Sequence, residues 1–490
     1  MTIFITSMKK TIRTPAIICI ALFLTVQLNV QAQEKWDLRK CVEYAVANNI
    51  QVKQSDILAK LAKLTYEQSK LNRWPTASFN TNTGLQFGRN IDPGTNAFTN
   101  DQITFSNFGF QSQVNLFNWF STKYNIEGNK LEAEASKAAV DRLKNDISLN
   151  VAAAYLQALL TKEQLNISRV QLNSTSEQLL NTRKLVDAGS VPELNAAELE
   201  AQLARDSASY VVANTTYQTN ILQLKLWMNY DPATELELDI PPVERIPVET
   251  FAELDPALVY NLALKNLPQQ RVNQLRLKSL EMFQKAARGN MYPTLGAFGN
   301  LNTTYSSAFK SLPDGPNVPL VIPIGYTGAG SPSNPNVFNQ VLVPGGVKDA
   351  TLLRQMDFNF RQSVGINLSV PIFNNGQLKT AWQRSKLNIQ NQQYQLERDN
   401  QQLKQDIYRA HNDATSAFQR YQTSIKTVST AEYSYDLSRK RYEAGLLRTI
   451  DLITNQNNLF RARLEKAANQ YEYVFRMKVL EFYKGQGLKL

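Results

Sequence analysis

The chain has 490 residues, 43% of them hydrophobic and 19% charged, with 53 Lys and Arg against 42 Asp and Glu and a formal net charge of +11. The charges are dispersed along helical stretches without a dense basic run, which argues against nucleic acid as a partner and for solvated helix surfaces. With two cysteines and one histidine there is no disulfide framework and no metal-ligand spacing, and neither a glycine-rich phosphate loop nor a nucleophile motif is present. No catalytic residue, metal or cofactor is expected, so the chain does not read as an enzyme.

At the N-terminus Lys9, Lys10 and Arg13 precede an apolar run from Ala16 to Val26 and then Val30-Gln31-Ala32. This order reads as a signal peptide over residues 1–32, with Met8 as an alternative start. The run is too short to cross a bilayer, and no later stretch approaches about 18 apolar residues. Ala16-Ile17-Ile18 before Cys19 is a poor lipobox, so no lipid anchor is expected. Losing the leader's three cations leaves +8. Cys41 then stands alone on the stripe Leu38, Cys41, Val42, Ala45, a place for buried helix packing.

Two stretches of the chain match at constant offsets. Trp74-Pro75-Thr76 matches Tyr292-Pro293-Thr294 at 218, as do Ala45 with Ala263 and Asn48 with Asn266. Farther on, Val114-Asn115-Leu116-Phe117-Asn118 matches Val370-Pro371-Ile372-Phe373-Asn374 at 256, an offset kept at Ala188-Gly189 and Ala444-Gly445. The chain is therefore a duplication, 33–230 and 255–490 about a connector at 231–254, with 38 residues added in the second copy.

In chain order, an opening helix is predicted over 38–72, with Asp37 as N-cap and Pro75 as its stop. Partly alternating strands follow at 78–87 and 105–116, then a helix over 118–188. Gly189 turns the chain, and Ser190-Val191-Pro192-Glu193 reads as a capping box for a return helix to Met228. Pro232, Pro241, Pro242 and Pro247 make the connector. The second copy repeats the order: a helix over 256–290 behind Asp255, strands at 295–305 and 358–372, and a helix over 374–444. Gly445 follows, then a return helix to Tyr483. The extra residues expand the loop 306–357, whose part from Pro313 to Gly346, rich in Pro, Gly, Asn and Ser, is expected to be irregular.

The strand at 358–372 alternates most cleanly, with Val364, Ile366, Leu368, Val370 and Ile372 on one face. Such a dyad suits a transmembrane β-barrel, and a half-buried soluble sheet has the same pattern. The export signal and the aromatic content favour the membrane. Both long helices span 70 residues without a proline, about 105 Å of helix. Small apolar stripes such as Ile147, Val151, Ala154 and Ala158 let neighbouring helices approach closely.

Several segments together resemble TolC-type outer-membrane efflux proteins. They are Leu38-Arg39-Lys40-Cys41-Val42-Glu43-Tyr44-Ala45 with Asn48-Asn49, Trp74-Pro75, Tyr292-Pro293, Val370-Pro371-Ile372-Phe373-Asn374, and Arg441-Tyr442-Glu443-Ala444-Gly445 followed by Asp451. The resemblance covers essentially the whole chain after the leader. It implies a mixed α and β membrane protein, a homotrimer whose twelve strands, four per chain, form one β-barrel continuous with a long α-helical periplasmic tunnel. It also implies a place in the outer membrane of a Gram-negative bacterium, contact with outer-membrane lipid, and work with a periplasmic adaptor and an inner-membrane transporter. Physics points the same way, because four strands cannot close a barrel and open edges are not viable in lipid. The competing reading is a structural periplasmic coiled-coil protein with a soluble β cap.

The resemblance places a gate at the periplasmic tip. Asp451 matches a pore-ring aspartate, and a second ring position is occupied by Thr454. Three copies of Asp451 would repel one another and attract cations; a first-turn aspartate facing the helix dipole is the simpler alternative. Tyr442 matches a gating tyrosine, with plain packing as its alternative. Leu447 stands where the family has arginine, with Arg448 adjacent, and Asn195 stands at the acidic partner position. The turns Gly189-Ser190 and Gly445-Leu446 are the expected adaptor-docking points. The exported substrate is not legible.

Overall fold

The structure is a computed structural model that describes residues 35–91, 98–239, 246, 249–325 and 337–485. The expected leader, with Cys19, lies outside the described residues, as do Pro241, Pro242 and Pro247 of the connector. By contacts the chain divides into a helical unit (residues 35–57, 138–270 and 399–485 as described) and a unit carrying the sheets (58–137 and 271–398).

Helix α1 (Leu38–Asn48) begins behind Asp37, whose carboxylate accepts from Lys40 N at 2.7 Å. It does not run on to 72 as expected. Asn49 leaves helical backbone at ψ 128°, accepts from Gln51 N through its side chain at 2.8 Å, and donates to Trp227 O at 2.9 Å. Helix α2 (Ile50–Leu71) then restarts. Strands β1 (Thr76–Gln86), β2 (Arg89–Ile91), β3 (Phe98–Asn100) and β4 (Ile103–Phe117) lead into α3 (Ser121–Asp187), 67 residues long, and α4 (Glu193–Met228). The second copy breaks its opening helix too, into α5 (Pro256–Asn266) and α6 (Pro268–Gly289). Pro268 has no N–H to continue the ladder and forces Leu267 out of helix, so the expected single helix 256–290 is again two.

Strand β5 (Thr294–Ser306) is followed by β6 (Ser311–Gly325), β7 (Val337–Asp349), the short helix α7 (Leu352–Phe358) and β8 (Arg361–Ser369). Helices α8 (Gln377–Glu443), again 67 residues, and α9 (Thr449–Tyr483) complete the chain. Sixty-seven helical residues reach about 100 Å. Among the described residues no helix is long and apolar enough to cross a membrane.

In the helical unit the duplication is visible as two matching cores. Cys41, Ala45, Val151, Ala154, Ala158, Ile221 and Leu224 pack together. Val259, Ala263, Ile407, Ala410, Ala414, Met477 and Leu480 pack together in the same way. Each member of the second set stands at the sequence offset, 218 or 256, of a member of the first. Alanines at the contact points let the helices approach closely, as the stripes predicted.

Cys41 is fully buried, as expected, and desolvation pushes its thiol from 9.0 up to about 12. Between about pH 9 and 12 the unfolded chain loses this proton while the folded chain keeps it, so folding is favoured below that window and weakened within it. Cys41 is expected to resist maleimide at pH 8 in the folded protein and to react within minutes in denaturant. Mass spectrometry of the adduct checks this, and rapid labelling of the native protein would sink it.

In the other unit the main sheet is antiparallel in the order β1-β4-β5-β8. The register separates its residues by polarity. One face aligns Phe79, Phe110 and Leu301, then Val114, Ala297 and Ile366, then Leu295 with Leu368. The other aligns Ser78, Gln111, Asn300 and Ser363, then Asn82, Asn107 and Thr304. The aromatics Phe105 and Phe298 interrupt the polar face. Each ring lies over a glycine directly opposite: a Cβ on Gly84 would stand 2.8 Å from Phe105, and one on Gly365 2.7 Å from Phe298. A larger residue at either position would have to push the ring aside, because the ring occupies the side-chain space.

Two expectations fail here. The strand 358–372 is shorter, because Phe358 ends α7 and Pro371 lacks the N–H that a ladder needs. Of the irregular loop expected at 313–346, residues 326–336 lie outside the described residues, and the rest is instead an antiparallel ribbon, β6 on β7, running from Ser311↔Asp349 to Gly325↔Val337 with two register shifts. One bulge falls at Gly315-Pro316, so residues that read as loop formers are absorbed at an irregularity of the ladder.

Candidate functional site

Both long helices end in the same way. Gly189 (φ 68°) donates to Val186 O at 2.8 Å, and Ser190 N donates to Leu185 O at 2.8 Å. Gly445 (φ 72°) donates to Tyr442 O at 2.9 Å, and Leu446 N to Arg441 O at 2.8 Å. This paired pattern about a left-handed residue is a Schellman motif, and glycine takes that conformation without strain. The expected capping box at Ser190 does not form. Ser190 is used in ending α3, and α4 starts after Pro192, which has no side-chain cap. Arg448 plays the same flanking part for α9.

The candidate residues fall into two groups. Tyr442, Asn195, Ser190 and Gly445 line one cleft of about 470 Å³, together with Thr182, Gln178 and Leu447. Within it Tyr442 Oη lies 3.3 Å from Thr182 Oγ1 and accepts a long 3.5 Å bond from Thr449 Oγ1. The structure thus brings the tyrosine and Asn195 to one cleft, and Leu447 fills the expected arginine position there with an apolar side chain.

Asp451 does not line this cleft. Arg448 grips it with two hydrogen bonds, Nε to Oδ2 at 3.0 Å and the guanidinium's other arm to Oδ1 at 3.2 Å. That hydrogen bond, and the carboxylate's charge, raise the pKa of the exposed arginine. A pair this open to solvent contributes little to stability. Its effect is on the field, since each carboxylate carries a compensating cation beside it. Asp451 O also accepts from Asn455 Nδ2 at 3.0 Å. Thr454 turns its hydroxyl back onto Ile450 O at 2.8 Å.

Sequence reasoning missed a polar layer farther from the turns. Asp206 on α4 is 4% exposed. Its carboxylate accepts from Thr175 Oγ1 at 2.6 Å, Gln202 Nε2 at 2.7 Å and Gln171 Nε2 at 3.3 Å. Helix α9 joins in through Gln456 Nε2 to Thr175 Oγ1 at 3.2 Å and Asn457 to Gln202 at 3.1–3.3 Å. Three helices are thus tied by one buried carboxylate. The available signal was the stripe Ala196, Leu199, Gln202, Asp206, which continues a core-facing spacing with polar residues.

Among the described residues no cluster could hold a metal ion. The family described as outer membrane efflux protein matches residues 43–229 and 354–485. The alkaline protease secretion protein AprF of Pseudomonas aeruginosa is 21% identical over 342 residues, covering 69% of this chain and 61% of that protein. The outer membrane protein TolC of Escherichia coli is 22% identical over 328 residues, covering 66% of this chain and 58% of that protein. The chain thus spans about three fifths of the length of these curated relatives. The solved outer membrane protein VceC of Vibrio cholerae shares the fold at a TM-score of 0.70 and 13% identity, over 92% of this chain and 96% of that one.

Proposed function

The chain belongs to the outer membrane efflux protein family, and from that premise we propose that it is the outer-membrane exit duct of a tripartite efflux or secretion system. The observation that carries this reading is the two-faced sheet with free edges. Val364, Ile366 and Leu368 are 89%, 68% and 67% exposed on one face, while the opposite face is built mainly of Asn, Gln and Ser, with Arg361 and the rings of Phe105 and Phe298 among them. A soluble β cap would leave that apolar face in water; a barrel places it against lipid and turns the polar face to the lumen. Strands β1 and β8 each have only one partner among the described residues. Edges of this kind close in lipid only against other copies, and a homotrimer supplies twelve strands.

The duct is passive and gated at the tip, with Asp451, Tyr442, Arg448, Asn195 and Thr454 in the closing region. An iris-like movement of the helices after Gly445 changes the balance of closed and open states. Energy comes from an inner-membrane transporter, joined by a periplasmic adaptor at the turns Gly189-Ser190 and Gly445-Leu446. Leu446 is 70% exposed, an apolar side chain offered at a turn.

Conductance of the purified oligomer in planar bilayers tests the gate. Asp451→Ala is expected to lower the cation-to-anion permeability ratio on the order of fivefold, the effect of about 1 kcal/mol of charge interaction in water. Arg448→Ala removes the compensating cation and should raise the ratio. Equal selectivity in both variants and the parent would remove Asp451 from the pore and leave it as a helix-end residue.

A further inference from the structure

The ribbon β6–β7 has no part in the duct as described so far. Between Asp314 and Lys348 the sequence holds no charged residue. These two flanking charges pair across the ribbon at 2.7 Å. The register sets Val318 opposite Val343 and Leu320 opposite Val341 on one face. It sets Pro319 opposite Leu342 and Pro323 opposite Phe338 on the other. Both faces are mainly apolar, with Asn317, Asn339 and Gln340 the polar exceptions, and Val321, Phe338 and Leu342 are each more than half exposed, at 60%, 57% and 64%. A two-stranded ribbon has no interior of its own and is marginal in water unless something covers it.

Its base, by contrast, is firmly built. Gln355 is fully buried, accepts from Ser306 N at 2.9 Å, and its amide nitrogen reaches Ser306 O at 3.0 Å and Ala350 O at 2.9 Å. Thr303 donates to Met356 O at 2.6 Å, fixing α7 to β5. The ribbon is held at its root and bare along its length.

We propose that the ribbon's partner is the same ribbon of neighbouring copies of this chain, the apolar faces packing together to form a cap at one rim of the barrel. The proposal rests on the closed-barrel reading above. The free edge strand β8 follows the ribbon through α7, so copies joined at that edge bring their ribbons to a common rim. Edge-to-edge pairing is blocked, because a rotational ring would set β7 of one copy against β6 of the next. Strand β6 carries Pro313, Pro316, Pro319 and Pro323, which offer no N–H to an added strand. The side-chain faces are what remains. Lipid headgroups fit poorly, since the described ribbon residues include no Trp, Tyr or Arg, and Lys348 is already engaged by Asp314.

The test uses the full chain in intact outer membranes, with a benzophenone side chain placed at Leu342 or, separately, at Leu320. Heat-modifiable trimer migration is recorded on the same samples, as the independent readout of the duct. The expected result is light-dependent adducts made only of this chain, at two and three times its mass. Val321→Lys combined with Phe338→Lys should keep the trimer and reduce those adducts about tenfold, the equilibrium effect of losing about 1.4 kcal/mol. A heat-modifiable trimer whose probes give only intrachain, lipid or foreign-protein adducts overturns the cap and leaves the duct standing. A protein that never forms trimers overturns both.

Discussion

Replacing Asp206 with leucine should loosen the tip of the helical unit and lower its stability by on the order of 3 kcal/mol or more. The substitution leaves the Thr175 hydroxyl and the Gln171 and Gln202 amides without their shared acceptor. A buried polar group left unsatisfied costs about 1–3 kcal/mol, and leucine brings no compensating partner. Asp206→Asn keeps the shape and one acceptor, so its loss should be smaller, about 1–2 kcal/mol, the difference between charged and neutral hydrogen bonds. The measurement is denaturant unfolding followed by helix signal, with single-channel recordings of the same variants. Because the layer ties α3, α4 and α9 together, the leucine variant should also spend more time conducting. Unfolding and gating indistinguishable from the parent would mean that the layer is filled by solvent and ties nothing.

The second large effect is expected at the far end of α9. Lys478 and Glu481 are 5% and 3% exposed by side chain and pair at 2.8 Å. Glu481 also accepts from Glu249 N at 3.1 Å, and Glu249 in turn pairs with Lys484 at 2.6 Å. The connector between the repeats is thereby pinned to the last helix. Lys478→Met strips the cation from a buried carboxylate, and breaking one side of such a pair costs about 3–5 kcal/mol. Lys478→Met with Glu481→Gln together should recover much of the loss, because no uncompensated charge remains. A single variant that loses less than about 1 kcal/mol, as exposed pairs do, would show that water reaches this pair freely.

Much of this architecture was legible because its signals are long. Proline-free runs of 70 residues leave little alternative to helix, and the constant offsets mark both turn glycines in the sequence itself. The sheet could be read from alternation, with its surroundings left open. The failures are local, and each has its own physical cause. Asn49 breaks a helix by capping Gln51 and reaching Trp227, a residue far away in sequence. The ribbon was hidden by its prolines and glycines, which mark loops in most contexts and here sit in a paired strand and its bulges. Asp206 continues the stripe Ala196, Leu199, Gln202, but a carboxylate at the end of an apolar stripe reads as its limit until the packing of three helices shows that it faces inward. At the tip, the expected residues do gather, yet Asp451 and Tyr442 belong to different microenvironments. Sequence alone could not tell that the turn at Gly445 sends these two positions, nine residues apart on successive helices, to different sides.

The matched cores have one more consequence. A duplicated chain carries its own control, since each position in one half has a counterpart that solved the same packing problem without the same task. The counterpart of Asp206 is Ala462, itself buried at 4% exposure, and that of Thr175 is Ala431. Tyr442 answers to Val186, and Asp451 to Asn195. Where the halves agree, as at Ala158 and Ala414, the residue serves the shared scaffold. Where they differ, as at these four pairs, the two halves have solved the same position in different ways. Swapping such pairs between halves therefore asks, within one molecule, which asymmetries the proposed duct needs and which it only inherited.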